Sequence, residues 1–170
     1  AAVPLIDALT ELSEVQIKTH GGGLFSGANK GAVTAEFRQH MLASDKRIMA
    51  LTGQQFSDSY YSRLLADNER ILDSDTPITA LLAAESLGIQ PLTMLHQIQR
   101  AQFIEGRSMS DINSLASLAT QLGTDSKSFV NAFAFFSGEK TNHHIAQSRN
   151  LIRVVGGNGF PTFALERTDG

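Results

Sequence analysis

Apolar residues recur along this chain at two spacings, and the change from one to the other marks out its parts. Leu5, Ile6, Leu9 and Leu12 fall at helical intervals, which predicts a helix from Pro4 to Ser13. Val15-Gln16-Ile17-Lys18-Thr19 then alternates apolar with polar, as a half-buried strand does. Gly21 to Gly31 holds five glycines and reads as a loop. Helical spacing returns at Thr34, a residue suited to cap a helix running to about Leu51, with Phe37, Met41, Leu42, Ile48 and Met49 inward and Gly53 as its stop. Ser57 to Ala66 predicts a short helix carrying Tyr60, Tyr61, Leu64 and Leu65.

Five more helices follow. Thr76-Pro77 reads as an N-cap with proline at the first helical position, and that helix ends at Gly88. Pro91 to Glu105 is the next, with Leu92, Leu95, Ile98 and Ala101 inward. Ser108-x-x-Asp111 resembles a capping box for a helix ending near Gly123, with Asp in place of the usual Glu. Asp125 caps a helix over Ser126 to Ser137, and Thr141 is read as the cap of a last helix ending near Val155. Alternation resumes in a strand over Phe163 to Glu166, and Arg167 to Gly170 contains an Asp-Gly hairpin turn. Two strands do not make an independent sheet, so both ends are expected to be cut and the natural polypeptide to be longer.

Hydrophobic residues at 42% and charged residues at 18% describe a globular chain, and 170 residues can bury a sizeable core. No apolar run approaches the roughly 18 residues that a membrane-crossing helix requires. A net charge of −3 without a Lys/Arg cluster argues against a nucleic-acid surface. Ala1 to Leu12 has acidic residues, a proline and no basic leader, so no secretory signal is read there. The chain has no cysteine, which leaves no disulfide, thiolate or cysteine metal site within it.

The sharpest local feature is Val154-Val155-Gly156-Gly157-Asn158-Gly159-Phe160-Pro161-Thr162-Phe163. A helix stops at the glycines, and a proline stands where a strand begins, the one strand position it tolerates. Taken alone, the Phe160-Pro161 bond would be trans, the commoner state. His143-His144 does not suggest a metal site. Neighbours on a helix point about 100° apart, zinc ligands on helices prefer i and i+4, and both histidines are read as surface residues. Gly21-Gly22-Gly23 lacks the context of a phosphate-binding loop, and no Gly-x-Ser-x-Gly elbow is present. Glu105 and Arg107 are expected to pair. His20, at the carboxyl end of the first predicted strand, lies where α/β sites form.

Gly159-Phe160-Pro161-Thr162-Phe163 after a helix resembles the cis-proline loop of thioredoxin-fold proteins, in the branch of the DsbA-type disulfide oxidoreductases. Ala101-Gln102-Phe103-Ile104-Glu105-Gly106-Arg107-Ser108-Met109-Ser110-Asp111 is similar to the middle of that branch's inserted helical domain. So is the run Leu115 to Phe133, with its Leu-Ala-x-Gln-Leu-Gly-x-Asp-x-x-x-Phe pattern. His20-Gly21-Gly22-Gly23-Leu24-Phe25 matches the loop after the second strand in the cytoplasmic, FrnE-like members.

The resemblance implies an α/β fold, a thioredoxin-like core over residues 1–33 and 141–170, interrupted by an all-helical insertion over 34–140. It implies a cis bond before Pro161 and a thiol–disulfide oxidoreductase or isomerase whose Cys-x-x-Cys pair is expected just upstream of Ala1, at a helix start that lowers a thiolate's pKa. Gly159, Phe160, Pro161 and Thr162 would bind the substrate, the Phe160 backbone pairing with it as an added strand. His20, Gly22 and Gly23 would lie at the site's edge on a mobile loop. No cofactor is expected, the partner being a thiol or disulfide protein or peptide, and a cytoplasmic location is preferred to a periplasmic one. A related branch, the kappa-class glutathione transferases and hydroxychromene carboxylate isomerases, would bind glutathione at the same proline. A third reading has no chemistry: the helices form an interaction module presenting Phe129, Phe133, Phe135 and Phe136, although their helical spacing favours a core.

Overall fold

A computed structural model describes residues 3–12 and 14–166. Seven α-helices dominate the described residues: α1 (Val3–Thr10), α2 (Ala35–Thr52), α3 (Asp75–Ser86), α4 (Pro91–Phe103), α5 (Ile112–Gln121), α6 (Ser126–Phe136) and α7 (Glu139–Val154). A two-stranded antiparallel ribbon joins β1 (Gly31–Ala32) to β2 (Ile71–Leu72), with Gly31 opposite Leu72 and Ala32 opposite Ile71.

The main core lies among α3, α4, α5 and α6. Phe129, Met94, Leu115, Ala80, Ala84 and Ala119 are fully buried there, with Phe133 and Phe136 packed against the cluster. Burying a side chain the size of Leu115 stabilises by about 1.5–3 kcal/mol. The phenylalanines are therefore mostly core, as their spacing predicts, and Phe135 is the exception at 61% exposure. A second cluster of Tyr60, Leu64 and Leu65 meets Phe37, Met41, Phe56, Tyr61 and Phe103. Phe103 stands edge-on to both Phe56 and Tyr60, with ring centroids 5.5 and 5.2 Å apart. Such pairs add to the area buried.

Several caps form as the residues dictate. Thr34 accepts from Phe37 N–H at 3.1 Å, Asp125 accepts from both Lys127 and Ser128, and α2 ends on Gly53 at φ 72°. Three others shift. α3 begins earlier than Thr76, because Asp73 accepts from the Asp75 N–H (2.9 Å) and the Thr76 hydroxyl and nucleates the turn first. At α5, Asp111 is itself the cap, accepting from Ser114 N–H at 2.9 Å, while Ser108 pairs with Ser110. α7 starts at Glu139, which places Thr141 inside the helix. Its hydroxyl lies 2.7 Å from that of Thr79 and 2.8 Å from the Phe136 carbonyl, a buried polar link between α3 and α7.

The predicted short helix is present, but its last turn widens to i→i+5, with Ala66 N–H donating to Tyr61 at 3.0 Å over Tyr60–Leu65. Arg38 stabilises that end from α2 by donating to the Leu65 and Ala66 carbonyls, both at 2.9 Å. Gly106 is buried at φ 62°, where a Cβ would sit 2.6 Å from the Ser59 carbonyl, so only glycine fits. Glu105 and Arg107 pair at 3.2 Å, and Arg100 joins them.

The two predicted strands are not paired. Val15, Ile17 and Thr19 are half-buried while Gln16 and Lys18 are exposed, so the alternation survives as burial, but no ladder forms over 15–19 or 163–166 among the described residues. A strand exists through its neighbour, and neither segment has one there. The ribbon inside and beyond the glycine-rich stretch is too short to show as alternation. The predicted turn at Arg167–Gly170 lies outside the described residues.

Candidate functional site

Three segments distant in sequence converge along α7: the loop His20–Phe25, the N-terminal half of α3, and the turn after Gly156. Gly156 ends α7 at φ 71°, a left-handed position that glycine adopts freely, and its N–H donates to Arg153. Gly157 N–H follows with a 2.8 Å bond to Ile152. A Cβ on Gly157 would lie 2.6 Å from Ile152 and 2.9 Å from Thr162, so the chain can double back only where no side chain intervenes. The Thr162 hydroxyl donates to the Gly159 carbonyl at 2.6 Å and closes the turn. Between them the Phe160-Pro161 bond is cis.

Gly159, Phe160, Pro161 and Thr162 are all exposed. Phe160 is 51% exposed, and its ring lies over Gly22: a Cβ there would be 2.0 Å from Cε1 and 2.1 Å from Cζ. Phe163 and Leu165 continue the exposed edge. Among the described residues no backbone–backbone hydrogen bond engages 158–166. Apart from the Gly159 carbonyl, which Thr162 engages, the backbone of this exposed stretch stands beside the Phe160 ring.

The Gly21–Gly23 loop is pinned from three sides, in contrast to the mobile loop expected. Gly21 N–H donates to His144 Nε2 at 3.0 Å. Arg149 Nε donates to the Gly22 carbonyl at 3.1 Å, and its terminal nitrogen donates to that of Gly23. Gly21 lies against Ile78 of α3, and Gly23, at φ 63°, against Ile145 of α7. Cβ atoms at either would come within 2.6 Å of those side chains, so the run of glycines is what lets the loop press onto two helices.

His144 is thus half-buried rather than a surface residue, unlike the exposed His143 beside it. Its ring stacks on that of His20, centroids 6.0 Å apart and planes within 10°. Burial, with a smaller effect of His20, holds its pKa below the usual imidazole value, and Glu85 pulls weakly the other way. Neutral His144 accepts on Nε2, which assigns its proton to Nδ1. The predicted His20, Gly22, Gly23 and Phe160 therefore come together. His144 and Arg149 were not foreseen as part of the site. The signal for them is that Thr141, Ile145 and Ser148 form the buried stripe of α7, with His144 and Arg149 along its border.

Among the described residues no three His, Asp or Glu side chains gather as a metal site. A cleft of about 450 Å³ lies elsewhere, between the ribbon and the 108–110 turn, and its Lys30 is already held by Asp73 and Asp75 at 2.8 Å each.

No family model matches the chain, and no curated protein is similar to it. Among solved structures, the cytosolic disulfide reductase DsbM from Pseudomonas aeruginosa is 40% identical over 98% of this chain and 78% of its own, with a TM-score of 0.89. The chain belongs to the DsbA-like thioredoxin-fold family. A second structure of DsbM, with glutathione, matches at 40% identity over 98% of this chain and 79% of its own, again with a TM-score of 0.89. A candidate protein disulfide isomerase from Nitrosomonas europaea, 20% identical over 94% of this chain and 74% of its own with a TM-score of 0.70, shares the fold. The DsbA-like family is one of thiol–disulfide oxidoreductases, and its helical insertion accounts for the dominance of helices over strands here.

Proposed function

We propose that residues 1–170 supply the substrate-binding wall and the helical cover of a thiol–disulfide oxidoreductase whose substrate is a peptide disulfide or oxidised glutathione. The observation that carries this reading is the exposed Phe160-Pro161-Thr162 edge, backed by Gly22, in a chain 40% identical to a disulfide reductase. The edge pairs with the backbone of the substrate, and Phe160 covers its apolar face.

The reaction is an exchange between sulfurs. A thiolate attacks one sulfur of the substrate disulfide, a mixed disulfide forms, and the other sulfur leaves as a thiolate. A second thiolate resolves the mixed disulfide, so the pair of thiols is oxidised as the substrate is reduced to two. These 170 residues contain no cysteine, so both exchanging thiols are assigned to a Cys-x-x-Cys segment of the natural polypeptide outside them. The GSH in one DsbM structure supports glutathione as a small-thiol partner, and the description of DsbM as cytosolic supports the same location for this protein.

Thiol titration and oxidised-glutathione reduction by the natural polypeptide test the reading. Two titratable thiols are expected and, with an added dithiol reductant to regenerate them, turnover, with Phe160→Ala raising KM more than it lowers kcat. A natural polypeptide without thiols would exclude disulfide reduction by the protein itself. Glutathione binding by such a protein, weakened by Phe160→Ala, would point instead to the glutathione-dependent isomerase or transferase branch.

A further inference from the structure

We infer that His144 is a positioning residue whose protonation displaces Gly21 and, through Gly22, shifts the aromatic wall at Phe160. The inference rests on the proposed reading only for its effect on substrate; its structural part stands on the geometry.

The loop is held by complementary groups from one helix face. Arg149 donates to the carbonyls of Gly22 and Gly23, while His144 accepts from the N–H of Gly21. Arg149 keeps its role at every accessible pH, since a guanidinium does not deprotonate. His144 does not. Protonated imidazole carries N–H on both nitrogens, so Nε2–H would face Gly21 N–H at 3.0 Å, donor against donor. Either the ring or the loop must then move. Among the described residues Gly21 N–H has no second acceptor, and Gly22, next in the chain, carries the Phe160 ring in close contact. Displacing Gly21 therefore removes the support of Phe160.

The charged and titratable groups around His144 come from three elements. His20 on the loop stacks against the ring, and its protonation opposes that of His144. Glu85 at the end of α3 favours the protonated form. Arg149 on α7 places a fixed positive charge on the same loop. Burial adds to the opposition, so the bond survives through neutral pH and opens on acidification.

A pH titration of the natural polypeptide by NMR tests this, following the His144 ring, the Gly21 amide and the Phe160 ring together. In the wild type all three are expected to move with one midpoint, below the usual imidazole value. His144→Gln retains an acceptor that does not titrate, so the Gly21 and Phe160 signals are expected to stay near their neutral positions and lose the acid step. His144→Leu has no acceptor and is expected to show displaced Gly21 and Phe160 signals at every pH. His20→Gln is expected to raise the His144 midpoint. Oxidised glutathione should bind wild-type protein about two- to tenfold more weakly below the midpoint, the scale of one neutral hydrogen bond.

The inference fails if Gly21 and Phe160 do not follow His144, or if His144→Gln keeps the acid step. Coupled signals without binding of oxidised glutathione at any pH would uphold the positioning role and overturn the substrate reading instead.

Discussion

Gly22 and Gly23 are neighbours in one glycine run, yet the structure gives them different work, and two alanine substitutions separate it. At Gly22 the backbone is one that any residue adopts, and the obstacle is the Phe160 ring, 2.0 Å from a new Cβ. Carbon atoms rest at about 3.5–4.0 Å, so the ring tip must retreat by about 1.5–2 Å. Phe160 is half-exposed and can swing outward, which makes the move cheap for stability. At Gly23 the backbone itself is left-handed, φ 63°, and the Cβ would meet Ile145, only 4% exposed, at 2.6 Å and Ser26 at 2.6 Å. There the strain of the left-handed conformation, about 1–2 kcal/mol, adds to overpacking against a core side chain, about 1–3 kcal/mol.

Thermal unfolding of the natural polypeptide and its variants reads the difference. Gly23→Ala is expected to destabilise by about 2–4 kcal/mol, lowering Tm by about 5–15 °C, and Gly22→Ala by less than about 1 kcal/mol. Oxidised-glutathione kinetics should invert the ranking per unit of stability lost. Gly22→Ala is expected to raise KM while Tm stays within about 4 °C of wild type. Equal losses of Tm at the two positions would refute the assignment of Gly22 to the site wall. So would a Gly22→Ala protein with unchanged KM and an unmoved Phe160 ring.

Three further substitutions test the packing. Asp45 is 1% exposed, and neither carboxylate oxygen receives a hydrogen bond of standard geometry; burial raises its pKa, with Tyr60 offsetting part of the rise. A raised folded pKa means a contribution present at acid pH and lost as pH rises through that value, so Asp45→Asn is expected to raise Tm at neutral pH, and the gain to vanish below the usual carboxylate range. A gain that persists in acid would refute the charge argument. Thr79 and Thr141 have two hydroxyl protons for three short contacts, the mutual one at 2.7 Å and those to Asp75 and Phe136 at 2.8 Å each. Thr141→Val is expected to cost about 1–2 kcal/mol in urea unfolding, and the double variant less than the sum of the singles; strict additivity would deny the link. Phe129→Ala is expected to cost about 3–5 kcal/mol and the exposed Phe135→Ala under about 0.5 kcal/mol, whereas similar losses would contradict the core assignment.

What could be read from the residues follows the range of the interactions concerned. Thr34, Asp125 and Gly53 act on backbone groups within one turn, so their caps were legible. Thr76 and Thr141 failed as caps for the same reason: a nearer competitor, Asp73 or the turn at Gly138, starts the helix first and leaves each threonine inside it. The glycine run and Phe160-Pro161 could be singled out because glycine and proline restrict the backbone wherever they stand. Their meeting across 138 positions could not be derived from spacing; it came from the family pattern, and the missing Cβ of Gly22 is its physical basis. His144 and Arg149 were the hardest to see. Each acts on a backbone group more than 120 residues away, and nothing in the sequence around a histidine announces that its acceptor will be spent on a distant glycine amide. The strands over 15–19 and 163–166 show the limit from the other side. Their alternation specifies which face is buried, and it does so in Val15, Ile17 and Thr19, but a strand is completed only by the chain beside it.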